Sequence, residues 1–391
     1  MFEIIPKTFF YDFVARRFFW AIVSFVASGV GLALFFFPGP HWSIDFSGGT
    51  EIELHFAKST EITDVRLALA DIGIAEDAVQ QVGDPGTSQF SVRLQGDTAA
   101  KQEDLDAVRD LLTAAHGAAW IEEFRVENEV GARIALLYTG APVPVADIER
   151  ELKGLPGVSV QSSGDENTVY VRLPGVSESI KAALTQGLPD NELTIDRADS
   201  VGPKVGDSMR TAGITALLVS TLLHLIYVAV RFDITFAPGA IICLLHDVCI
   251  TVGILVALRQ EFGLSTVSAL LTLSGYSLND TIVVYDRIRE NMERYKRKNF
   301  GELINDSINQ TLSRTVMTAG ATSLAMLPFL FLGGSVLHQF AMVMLIGIAV
   351  GTYSSVYVAA PLTMILRDYE PQIRKFMGLG TAAAPKEASS G

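Results

Sequence analysis

The sequence is poor in cysteine and poor in charge. Its 391 residues hold two cysteines, Cys243 and Cys249, and both lie inside one apolar run. That leaves no disulfide framework and no CxxC metal spacing. Charged residues make up 19% of the chain, against 49% hydrophobic ones. There is no GxSxG, HExxH or P-loop, and His41, His55 and His116 are scattered without a ligand spacing. With no nucleophile–base pair and no metal set, the chain does not read as an enzyme. A basic excess is missing too: the formal net charge is -13, which argues against nucleic acid as a partner.

Long apolar runs are what the sequence has in abundance. Six stretches are long enough to cross a hydrocarbon core about 30 Å thick, roughly 17–37, 212–230, 236–258, 264–285, 315–333 and 339–366. The first starts at Arg16-Arg17, ends at Pro38-Gly39-Pro40 and lacks a small-residue cleavage site, so it reads as a retained helix. Lys7, Arg16 and Arg17 precede the first span and Arg231 follows the second. Arg287, Arg289, Arg294, Lys296, Arg297 and Lys298 follow the fourth, and Arg367, Arg374 and Lys375 follow the last. With alternating spans all of these fall on one side, which predicts cytoplasmic termini and an outer segment 39–211.

The acidity is concentrated in that segment. Between Gly39 and Thr211 stand 29 Asp+Glu and 14 Lys+Arg, or -15; the remainder has 14 acids and 16 bases, or +2. Its pattern alternates between strand and helix. TEIELHF, VRLALADIG, AVQQVG, QFSVRLQ, LDAVRDLLTAA and IEEFRVENEVG read as βαββαβ. IALLYTG, VADIERELKG, VSVQSSG, TVYVRLP, SIKAALTQG and LTIDRADSVG repeat that order over 134–202. Two tandem ferredoxin-like modules fit this pattern, with one larger irregular α+β domain as the alternative.

Polar residues inside the spans carry the functional signal. Asp247 sits about midway along the third span, beside His246; Asp280 lies in the fourth after Asn279; Arg314 opens the fifth. A charge at membrane depth costs about 2.5–3.5 kcal/mol or more, so such residues face a bundle interior and often mark an ion or proton path. An Asp–Arg pair has two states, paired and ionised or protonated with the Arg released, and alternating between them couples proton flow to movement. Plainer readings stand beside this one. Arg314 as an interfacial anchor, Asp280 and Asp247 as helix-packing groups, and Asp286, Arg287 and Arg289 as snorkelling boundary charges are all consistent with the sequence. Gly213, Gly253, Gly275 and Gly320 would allow close helix approach.

Several segments together resemble the SecF subunits of the SecD/SecF family, within the resistance-nodulation-division superfamily. They are WSIDFSGGT at 42–50, SVGPKVGDSM at 200–209, LLHDVCITVGIL at 244–255, GYSLNDTIVVYDRIREN at 275–291, INQTLSRTVMT at 308–318 and the run 331–362. The resemblance implies a polytopic α-helical membrane protein of six transmembrane helices with an α+β ferredoxin-like periplasmic domain, here duplicated. It implies a multi-pass protein of the bacterial inner membrane that acts with SecD and the SecY/SecE/SecG channel complex on a translocating preprotein, among membrane lipid. The proton motive force would drive it, with the proton as coupling ion and no other cofactor or metal.

Family motifs put the proton relay at Asp280 and Arg314, with Asp247 beside them. Asp45, Gly48, Gly49, Gly202, Pro203, Gly206, Asn279, Asp286 and Arg287 stand at the remaining motif positions. The expected layout is a cytoplasmic 1–16, a span 17–37, modules 38–131 and 132–211, spans 212–230, 236–258 and 264–285, a cytoplasmic loop 286–314, spans 315–333 and 339–366, and a tail 367–391. One departure is that family members typically carry a single small outer module, so 134–195 is expected to lack a counterpart. The alternative function is half of a proton-driven exporter of lipid or a small molecule.

Overall fold

The computed structural model describes residues 10–70, 72–82, 88–94, 102–127, 133–155, 157–165, 167–173, 176–232 and 236–368. Two compact units emerge, one from residues up to Trp42 together with those from Thr211 onward, the other from Ser43–Arg210. In chain order the elements are α1 (Arg17–Phe36), β1 (His41–Trp42), α2 (Ile44–Ser47), β2 (Gly49–Phe56), α3 (Ile62–Ala70), β3 (Val79–Gln81), β4 (Gln89–Leu94) and α4 (Gln102–His116). They continue through β5 (Ile121–Glu127), β6 (Arg133–Tyr138), α5 (Val145–Glu151), β7 (Ser159–Ser162), β8 (Thr168–Arg172), α6 (Val176–Gly187) and β9 (Leu193–Val201). The last are α7 (Pro203–Arg231), α8 (Ala237–Ala257), β10 (Glu261–Phe262), α9 (Leu264–Arg294), α10 (Phe300–Leu332), α11 (Gly334–Ser354) and α12 (Ala360–Asp368).

Among the described residues six helical stretches are long and apolar enough to cross a membrane: Val14–Phe36, Pro203–Arg231, Ala237–Ala257, Leu264–Arg294, Phe300–Leu332 and Gly334–Arg367. The chain is a multi-pass membrane protein. Its third, fourth and sixth spans bury half of their most apolar stretch, whereas the first, second and fifth bury 11% or less. The bundle is therefore built around α8, α9 and α11. Lipid tails supply no hydrophobic drive between helices, so close packing of small residues takes over. At the crossing of α1 and α8 a Cβ on Gly253 would lie 2.3 Å from the Gly31 Cα, so only glycine allows that approach.

Several helices run past the ends of the apolar runs. The expected cytoplasmic loop 286–314 is mostly helical: α9 runs on to Arg294 and α10 begins at Phe300, with Asn299 Oδ1 accepting from the Gly301 N–H at 2.9 Å. The apolar run ends near Tyr285, yet no Gly or Pro follows until Gly301, and Arg, Glu and Met continue the helix. Arg314 thus lies 14 residues inside α10, about 21 Å along it. The second span likewise starts at Pro203, suited by its fixed φ to the first turn. In the sixth span the helix changes to a π turn at Ser355–Ala359 before α12.

The α+β unit contains two four-stranded antiparallel sheets, ordered β3-β4-β2-β9 and β5-β6-β8-β7. All twelve expected strands and helices form, yet they do not divide between the sheets at 131/132. β5 pairs with β6, and β9 pairs with β2. The expected pair of consecutive modules is corrected accordingly: each βαββ segment is completed by the αβ segment of the other repeat. Helix packing follows the strands. Ile180 and Leu184 of α6 join Ile52, Leu54, Leu69, Phe90 and Val92 in one core. Leu105, Val108 and Leu112 of α4 join Ile134, Leu136, Ile148 and Val171 in the other. Each fully buried aliphatic side chain contributes about 1.5–3 kcal/mol, enough to fix which helix serves which sheet. Residues 102–173 consequently form an insertion between β4 and α6 of the first sheet.

Candidate functional site

Asp247 is fully buried, at a point where α8, α9 and α11 meet. Its Oδ2 accepts from the Ser277 hydroxyl of α9 and from the Ser354 hydroxyl of α11 at 2.8 Å, and Oδ1 stands 2.8 Å from His246 Nδ1. The Cys243 thiol, one turn back along α8, lies 3.2 Å from Ser354 Oγ and 3.9 Å from Thr281 Oγ1. The last turn of α11 packs closely here: a Cβ on Gly351 would sit 3.2 Å from Ser277 Cβ and 3.6 Å from Asp247 Oδ2. Both carboxylate oxygens have hydrogen-bond partners. Asp247 ties three spans together.

Asp280 is different. It is 3% exposed, and its Oδ2 is buried without a hydrogen-bond partner. Arg314 of α10 is near enough for its charge to act on this carboxylate, but no described ion pair joins them. On the chain alone Arg314 is exposed, as is Asn279. The bundle thus holds one saturated carboxylate and one that lacks a partner, with a cation nearby.

Asp286 and Arg287 are not merely solvated boundary charges. Asp286 pairs with Arg231 at the end of α7, at 3.1 Å. Arg287 donates to Gln310 of α10 at 2.5 Å and to Glu290 at 2.6 Å, while Asn291 donates to Ser307 at 2.8 Å and Gln310 at 2.9 Å. The polar ends of α9 and α10 are zipped together in this way, just beyond the two candidate relay residues.

The remaining motif residues come together in the α+β unit, about 150 residues apart in sequence. Gly49 pairs with Val201 across β2 and β9. Gly48 adopts φ +71, where a Cβ would meet the Pro203 Cα at 3.0 Å, and a Cβ on Gly206 would meet Gly48 N at 2.9 Å. Asp45 lies in α2, whose Ser43 cap accepts from the Asp45 N–H at 3.3 Å. Gly202 leads into Pro203 at the start of α7. These residues build a close backbone junction, and they lie apart from the Asp247 and Asp280 sites in the sequence and in role. Sequence reasoning missed Ser277, Ser354, Cys243 and Asn291; the signal available was polar side chains at helical spacing in otherwise apolar runs.

The family model described as protein export membrane protein SecD/SecF, C-terminal, matches residues 180–369, and the SecD/SecF GG motif matches residues 33–60. The protein translocase subunit SecF of Magnetococcus marinus is 34% identical over 381 residues, covering 97% of this chain and 98% of that protein. That of Calditerrivibrio nitroreducens is 33% identical, covering 94% and 97%. Such coverage extends across 134–195, so the expectation that this region lacks a family counterpart is corrected; the match to the Rickettsia prowazekii subunit covers 52% of this chain. The protein translocase subunit SecDF of Thermus thermophilus is 44% identical over 269 residues, or 66% of this chain and 36% of that one. The crystal structure of SecDF from Thermus thermophilus, titled a translocon-associated membrane protein, superposes with a TM-score of 0.63 at 30% identity over 93% of this chain, which spans 40% of that longer one. By sequence along almost its whole length and by fold, the chain belongs to the SecD/SecF family, as a SecF-like subunit of the Sec protein translocase.

Proposed function

We propose that this subunit assists preprotein translocation using the proton motive force, and that Asp280 and Arg314 are its proton pair. The carrying observation is the Asp280 carboxylate: buried, with one oxygen unpartnered, and close to a cation it does not bind. An ionised carboxylate in that position needs Arg314 to close on it; a protonated one does not. Exchange between those two arrangements moves α9 against α10, and the proton is the coupling ion. No other cofactor is needed. Asp247 completes the set as a fixed charge.

The exposed Arg314, 14 residues into α10 at the start of its apolar run, needs cover. We assign that cover to SecD, a partner of matching six-span architecture, consistent with relatives that carry the name SecDF on one longer chain. The bases flanking the spans favour a bacterial inner-membrane protein with both termini cytoplasmic and the acidic unit in the periplasm. Each sheet of that unit fits the ferredoxin-like strand order, with the closing αβ segments exchanged between repeats. In this reading the unit meets the preprotein emerging from the SecY/SecE/SecG channel, and lipid covers the apolar faces of α1 and α7.

The test replaces Asp280→Asn and Arg314→Ala in cells that depend on this subunit. Both variants are expected to accumulate and to retain SecD. Proton-driven export should fall by about 100-fold or more, the scale contributed by a positioned proton donor or acceptor. Normal export from both variants would sink the relay.

A further inference from the structure

His246 is a buried titratable group that the relay leaves unused. It is 7% exposed, and its Nε2 is buried without a hydrogen-bond partner. Its other nitrogen, Nδ1, stands 2.8 Å from Asp247 Oδ1. Asp247 is held by hydroxyls from two other spans, so its carboxylate is fixed in place. When Nδ1–H donates to that carboxylate, a neutral imidazole keeps its lone pair on Nε2.

We propose that His246 is a proton-binding residue of the bundle, with Asp247 as its ionised positioning partner. This gives the third span a proton stop of its own. The inference rests on the proton-driven reading above. The step is a single proton transfer from water admitted to the bundle: an N–H bond forms at Nε2, the water-borne proton is given up, and no electrons move. Before the step the site holds one buried negative charge. Afterwards it holds a neutral imidazolium–carboxylate pair, in which the fixed anion compensates the new cation. The change of one charge occurs beside the serines that tie α8 to α9 and α11, so it acts on the packing of the three central spans.

The surroundings suit this role. On α8 itself the facing titratable group is Cys243, and on the sixth span it is Tyr353, whose ring stacks on the imidazole at 6.2 Å. The fourth span offers Ser277, and the first offers Ser24, hydrogen-bonded to the Tyr353 hydroxyl at 2.8 Å. Neither serine titrates. No described ion pair brings a Lys or Arg to Asp247, so the imidazole is its sole potential countercharge among the described pairs.

The experiment uses the full chain assembled with its SecD partner in lipid bilayers, with histidine ring nitrogens labelled for magnetic resonance. The His246 signal is assigned by its loss in His246→Gln. We expect the doubly protonated ring to appear as the pH is lowered across the range in which the complex stays assembled. Asp247→Asn should hold it neutral across the same range. A ring that never changes state there, or one that changes equally with Asp247→Asn, overturns the proposal. Sequential backbone correlations to Leu245 and Asp247 assign the same signal, so the spectrum of the unmutated complex remains decisive if a variant fails to assemble.

Export supplies the second readout. His246→Gln is expected to shift the pH profile of export, and Asp280→Asn to abolish export at every pH. Loss with Asp280→Asn alongside an unchanged profile for His246→Gln overturns the His246 inference and keeps the relay. Normal export with Asp280→Asn overturns the relay reading itself, and the inference with it.

Discussion

Asp247 and Asp280 are buried acids in adjacent spans of one bundle, and their surroundings could hardly differ more. Asp247 takes two serine hydroxyls and faces a histidine nitrogen. Asp280 has a buried oxygen with nothing bonded to it. A carboxylate anchored from three helices resists movement, because shifting any one of them leaves buried polar groups unpaired at about 1–3 kcal/mol each. A carboxylate without partners resists nothing. Depth in the membrane alone does not distinguish a working acid from a structural one; the count of satisfied lone pairs does. By that measure α8 holds the fixed charge of the bundle, and α9 the one free to change partner.

The widest separation between the two sites should appear on substituting each in turn. Asp280→Asn removes a buried carboxyl that makes no described hydrogen bond, so the fold should be unchanged or more stable, while export collapses. Asp247→Ala strips three interactions, which at the roughly 0.6 kcal/mol typical of membrane hydrogen bonds lowers stability by about 2 kcal/mol. Denaturation midpoints of the purified variants, read beside export in cells, test both. A destabilised Asp280→Asn chain would reverse the assignment of roles.

Part of this contrast is legible in the amino-acid sequence and part is not. Apolar run length locates all six spans, because a span needs about 20 residues whatever its neighbours. The cost of intramembrane charge picks out Asp247, Asp280 and Arg314. What separates the two acids lies in Ser277 and Ser354, which come from α9 and α11 and meet Asp247 only through tertiary packing. The end of α9 escapes the hydropathy pattern for a related reason: hydropathy reports where lipid stops, and helix propensity carries the backbone nine residues beyond Tyr285 to Arg294. In the α+β unit the twelve strands and helices from β2 to β9 are readable from periodicity. The exchange of closing segments is not, since Leu105, Val108 and Leu112 of α4 and Ile180 and Leu184 of α6 present equivalent apolar faces. On local pattern alone, either helix serves either sheet.

The smallest effect tests whether the two acids are separate at all. Ser354→Ala deletes one donor to Asp247 and should cost about 0.6 kcal/mol. Combined with Asp280→Asn it should behave additively, with a coupling of about 0.5 kcal/mol or less, because the two side chains share no hydrogen bond. Ser277, one turn before Asp280 in α9, donates to Asp247, and a weaker line runs beside it: Thr281, next to Asp280, stands 3.9 Å from the Cys243 thiol, which in turn reaches Ser354 at 3.2 Å. A measured coupling well above that size would mean this thiol contact carries energy. The anchored and the unanchored acid would then be two ends of one network, and tightening one would set the freedom of the other.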